Sequence, residues 1–189
     1  VDRHPFSGLK KSSFGPTAKT GGSHYVSMFR EYQPVENIES LKYEFKLTWE
    51  EIGNKSIKLG DTESERNFKR YVPHKSVLLV TEEDFSKDLE NFIFWISDLL
   101  NINIKIISQE TLLSPDSNLD MSLFEKIRWI AMSQEIPTQI FNSGATVDER
   151  GLSQNGKQEL LCWVKEQSIS ITNHRYGNIG SGPQPFKDW

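Results

Sequence analysis

The chain has 189 residues, a formal net charge of −4, 36% hydrophobic residues and a single cysteine. That length can bury a substantial core, and the composition excludes collagen-like, coiled-coil and disulfide-rich scaffolds. Cys162 can close no internal disulfide and cannot build a Cys-rich zinc site, and the longest apolar run, Phe92 to Ile96, is far short of a membrane span.

The mildly acidic balance argues against a broad nucleic-acid-coating surface and leaves room for a local basic pocket. No signal peptide is visible, and Val1 and Trp189 read as the ends of a segment cut from a longer chain. An intracellular location, cytoplasmic or nuclear, is expected.

Residues 1–40 form a basic arm rich in Gly, Ser and Pro. Asp2 is its only acid before Glu31, against Arg3, Lys10, Lys11, Lys19 and Arg30. Phe6, Phe14, Tyr25 and Phe29 suit an arm that docks rather than floats. Residues 41–75 read as a β-rich extension. Leu41, Tyr43, Phe45, Leu47 and Trp49 alternate with polar residues, which predicts a half-buried, antiparallel strand. A turn at Gly53-Asn54 leads to a weaker strand, Ser56 to Leu59, and residues 60–70 read as a charged loop.

Residues 76–172 carry an α/β pattern. Ser76 to Val80 is a continuous apolar run, as in a strand covered on both faces. Thr81 or Glu82 is placed to cap a helix whose stripe is Phe85, Leu89, Phe92, Ile93, Ile96 and Leu100. Asn101 ends it, and Ile102 to Ile107 is the next strand. After a loop at Ser114 to Asn118, a second helix is predicted over Leu119 to Glu135, with Lys126 facing solvent. Pro137 stops it, and Gln139 to Phe141 reads as a strand. Gly144 to Gly151 reads as loop, Ser153 to Glu166 as a third helix and Ile169 to Ile171 as a last strand. Residues 173–189 are an irregular tail. The expected fold is a Rossmann-like open, mainly parallel sheet with flanking helices, preceded by an antiparallel β part.

Few residues advertise chemistry. His4, His24, His74 and His174 sit at no metal-ligand spacing, and no Walker loop, nucleophile elbow or zinc-protease motif is present. Gly21-Gly22-Ser23 is a weak anion cradle, and Cys162 reads as a buried, inert thiol. On the predicted strand Glu44 and Lys46 share a face, as in metal-dependent nucleases, with Asp61 or Asp2 needed as a second ligand. A solvated strand face explains the same pattern more simply.

A sharper constellation runs from Phe124 to Lys165. On the predicted helix Phe124 and Arg128 stand one turn apart. Gln139 opens the following strand, and Lys165 ends the third helix. An aromatic ring, a guanidinium, a carboxamide and an ammonium meeting at the strand ends suit a terminal nucleotide and its phosphate. Phe124-Glu-Lys-Ile-Arg128, Ile136-Pro-Thr-Gln139 and Leu160-Leu-Cys-Trp-Val-Lys165 together resemble the phosphate-binding region of the Argonaute MID domain, over about residues 76–172. Phe stands where that family usually has Tyr, Arg where it has Lys, and Glu166-Gln167 replaces a Gly-Gly pair. The resemblance implies non-catalytic binding of the 5′-phosphorylated end of a small guide RNA or DNA, with Phe124 stacking on the first base and Arg128, Gln139 and Lys165 holding the phosphate. No cofactor or metal is implied.

Two other readings stand beside it. One is an interaction module with a degenerate site in a larger nucleic-acid-handling assembly, its arm and tail touching protein partners. The other is a metal-dependent endonuclease using Glu44 and Lys46.

Overall fold

The structure, a computed structural model, describes residues 20, 22–61, 65–131, 135–172, 174–175 and 178–179. The expectations for Asp2, His4, Phe6, Phe14 and most of the basic arm and tail lie outside the described residues. The fold is α/β, with a four-stranded parallel sheet and a three-stranded antiparallel sheet.

Two helices open the described chain, α1 (Ser23–Ser27) and α2 (Ile38–Ile52). The alternating strand expected at Leu41 to Trp49 is therefore helix. Ile38, Leu41, Phe45, Trp49 and Ile52 recur at helical spacing and face the core, while Tyr43 and Leu47 are exposed. The apolar residues of this segment satisfy both periods, and Asn37 decides the outcome: its side chain accepts from the Ser40 N–H and starts the helix.

Strands β1 (Ile57–Asp61) and β2 (Glu65–Pro73) follow. The loop expected over residues 60–70 is thus mostly strand. β2 pairs antiparallel with β1 on one side and with β7 (Val164–Thr172) on the other, in unbroken register from Glu65↔Thr172 to Pro73↔Val164. The antiparallel part is thus completed by a C-terminal strand. Residues 41–75 share one core with the parallel sheet: Leu41, Phe45 and Tyr71 pack with Val77, Leu79, Phe92 and Trp163.

β3 (Ser76–Thr81), α3 (Lys87–Leu100) and β4 (Asn103–Ser108) match their sequence patterns closely. The cap of α3 is Ser86, later than expected, and Asn101 ends the helix in the left-handed conformation at φ 54°. A short helix, α4 (Gln109–Leu113), and a 3₁₀ turn at Met121–Leu123 lead to β5 (Lys126–Trp129). Then come α5 (Thr138–Asn142), β6 (Thr146–Asp148) and α6 (Gly156–Leu161). Two further two-residue strands, β8 (His174–Arg175) and β9 (Asn178–Ile179), pair in the tail.

Four expectations fail here. The helix expected over Leu119 to Glu135 is, among its described residues, a turn and a strand, and the strand at Gln139 is a helix. The loop at Gly144 to Gly151 contains β6, and the third helix stops at Leu161, so Lys165 lies on β7.

The parallel order is β4-β3-β5-β6. β3, the first strand of this sheet along the chain, is an inner strand, and the connections depart to opposite sides of it, giving a doubly wound sheet with its switch point between β3 and β5. Val77 and Leu79 face the α3 side, while Leu78 and Val80 face a second core with Phe124, Ile127, Trp129 and Ile140.

Candidate functional site

The four residues expected to hold a phosphate are placed in different surroundings. Phe124 is buried in the second core beside Ile127 and Trp129. Arg128 points through the opposite face of β5, where its guanidinium lies 4.8 Å from the Trp163 ring centroid. Gln139 is exposed on α5, beside a hollow of about 170 Å³ lined by Leu112, Leu119 and Ile140. Lys165 is tied to Glu125 at 2.8 Å. The helix face meant to unite Phe124 with Arg128 does not exist, because this segment is a strand.

What the sequence reasoning missed is a buried network of charges under β5 and β6. Arg128 is 0% exposed and donates from Nη1 to Oε1 of Glu159, also 0% exposed, at 2.5 Å. Glu159 accepts in addition from Trp163 Nε1 at 2.7 Å and from the Ser153 N–H at 2.9 Å. Gly151 O accepts from Arg128 Nη2 at 3.0 Å. Lys126, expected in solvent, is buried. Its Nζ lies 2.6 Å from Asp148 Oδ2 and donates to Cys162 O at 2.6 Å.

Arg150 grips Asp148 through two nitrogens, each at 2.7 Å, and donates to the Tyr32 hydroxyl at 3.0 Å and to Ser27 Oγ at 3.2 Å. The network thus reaches from the parallel sheet to the segment before α2. The only local hint was Lys126-x-Arg128 inside an apolar run; the partners Asp148 and Glu159 lie too far along the chain to be paired by spacing.

The electrostatics follow from burial and pairing. Burial alone would raise the Asp148 carboxyl, but Lys126 and Arg150 beside it hold it far below the usual carboxylate range. Burial pulls the Lys126 ammonium down, only partly offset by Asp148. Arg128 and Arg150 are driven upward by Glu159 and Asp148 against the penalty of burial. Burial raises the Cys162 thiol, in keeping with an inert side chain whose Sγ contacts the Gln158 carbonyl oxygen and the Tyr32 hydroxyl.

The nuclease pair dissolves with the strand that carried it. On α2, residues two apart point in different directions. Glu44 instead accepts the Gly156 N–H at 3.1 Å, at the start of α6, and Lys46 pairs with Glu50 at 3.8 Å. Among the described residues no group of His, Cys, Asp and Glu could hold a metal ion. His74 is buried, 3.5 Å from Glu125. Gly22 abuts a carboxylate of the chain itself: a Cβ there would stand 1.9 Å from Glu166 Oε2, so a side chain would require the Glu166 carboxylate to shift.

No family model and no curated protein matches this sequence. Among solved structures, the chain is similar to Proline Utilization A (PutA) from Corynebacterium freiburgense, at 24% identity with a TM-score of 0.65. The match covers 95% of this chain and 20% of that one. At this identity the likeness describes the fold alone, and the chain spans about a fifth of that protein's length. Among the described residues no helix is long and apolar enough to cross a membrane.

Proposed function

We propose that this chain is a non-catalytic α/β interaction module that docks onto other proteins through the surface of α1, the turn after it and α2. The observation that carries this reading is the exposed apolar surface there. Phe29 is 74% exposed, stacked edge-on against Tyr25, and Tyr43 is 67% exposed one helical turn from Leu47. Aromatic side chains that present their area to water in such groups are typical anchors of protein contacts. The core cations support the reading from the other side, because Lys126, Arg128, Arg150 and Lys165 each already face a carboxylate of this chain.

The test compares the unaltered chain with a Phe29→Glu/Tyr43→Glu variant as tagged bait, after denaturant melts establish equal stability. The reading expects a defined partner to be lost from the variant; identical captures would overturn it.

Recognition of a 5′-phosphorylated RNA or DNA end needs Phe124, Arg128, Gln139 and Lys165 to be available together. We therefore expect 5′-phosphorylated and 5′-hydroxyl dinucleotides to bind alike in a calorimetric titration. Selective, saturable binding of the phosphorylated form that Lys165→Glu abolishes would restore that reading.

A further inference from the structure

β4 is an end strand of the parallel sheet, and among the described residues it pairs only with β3. Among the described residues no strand pairs with its other side, a row of backbone donors and acceptors suited to another strand. Directly beside it the face of the sheet is under-covered, because α4 is only five residues long and the chain then continues as a loop. The result is a groove of about 640 Å³, lined by Lys105 and Ile107 of β4, Glu110 of α4, and Asp116 and Leu119 of the loop.

The chemistry of this lining is ordered along the strand. Lys105 and Ile107 are two apart and face the same side. Glu110 follows the strand at the start of α4, while Asp116 and Leu119 of the loop line the same groove. A strand added to the β4 edge puts alternate side chains into the groove, each opposite one of these positions. Opposite charges across strands attract and like charges repel. The matching order is therefore an acidic residue facing Lys105, an apolar one facing Ile107 and a basic one toward Glu110, within a groove to which Asp116 adds a second carboxylate.

We infer that the β4 edge and its groove accept an extended peptide of a partner protein, carrying acidic, apolar and basic side chains at alternate positions. Backbone pairing supplies the attachment and the charge order supplies direction and register. The inference rests on the interaction-module reading and names a second contact surface on it. The α1–α2 variants read a different surface, so failure of one experiment leaves the other intact.

The test uses a capped, fluorescent seven-residue peptide with glutamate, valine and lysine at alternate positions in a threonine background. Anisotropy titration against the full chain is expected to saturate. A Glu110→Lys/Asp116→Lys variant is expected to bind this peptide about tenfold more weakly, and N-methylation of alternate peptide amides to abolish binding. Equal binding of the N-methylated peptide, or indifference to the charge changes, would overturn the inference, as would the absence of saturable binding.

Discussion

Arg128 carries a full charge into the interior, and Glu159, equally buried, holds it there at 2.5 Å. Removing one partner of a buried pair strands the other, so Arg128→Met is expected to cost about 3–5 kcal/mol in urea unfolding. The double variant Arg128→Met/Glu159→Met is expected to lose clearly less than the sum of the two single changes, because no lone charge remains. Additive losses would mean the pair is uncoupled. Asp148 acts at acid pH. Its folded-state value lies below the ordinary carboxyl value of about 3.9, so the stability it gives is present above that pH and is lost as pH falls toward the folded value. Unfolding midpoints measured from pH 6 to pH 2 are expected to decline below about pH 4, and Asp148→Asn to flatten that decline. An unchanged slope in the variant would contradict this.

Among the elements, β3, α3 and β4 were legible because each has one dominant pattern: an unbroken apolar run, a helical stripe and a clean alternation. Residues 41–49 were not, since Leu41, Phe45 and Trp49 fit either period and only Asn37, Ile38 and Ile52, outside the window, favour helix. The distinction is measurable. Phe45→Ala is expected to destabilise by about 3–5 kcal/mol and Tyr43→Ala by less than about 0.5 kcal/mol, whereas a strand would bury both on one face. β5 was hidden by its charges: Lys126 and Arg128 suggest a wet helix face until Asp148 and Glu159 are known to await them. For the same reason the candidate phosphate site was assembled in sequence from residues that the fold sends to different faces. At the α2–α6 crossing, a Cβ on Gly156 would stand 2.5 Å from the Phe45 nitrogen and from Glu44 Cβ. Gly156→Ala is therefore expected to destabilise by about 1–3 kcal/mol in denaturant melts, despite alanine's better helix propensity. A neutral or stabilising outcome would show that the helices can move apart.

In the whole molecule, two ladders with different habits share one interior. The parallel sheet is assembled from neighbouring stretches of chain through short crossovers, each closing soon after its strand is made. The nine-residue pairing of β2 with β7 instead joins Glu65 to Thr172. Loops of that span are slow to close. During synthesis β2 must therefore wait, one edge bare, until nearly the whole α/β portion has left the ribosome. A nascent chain halted before Val164 leaves that edge ready for the wrong neighbour, so exposure to clumping lasts until β7 has been made.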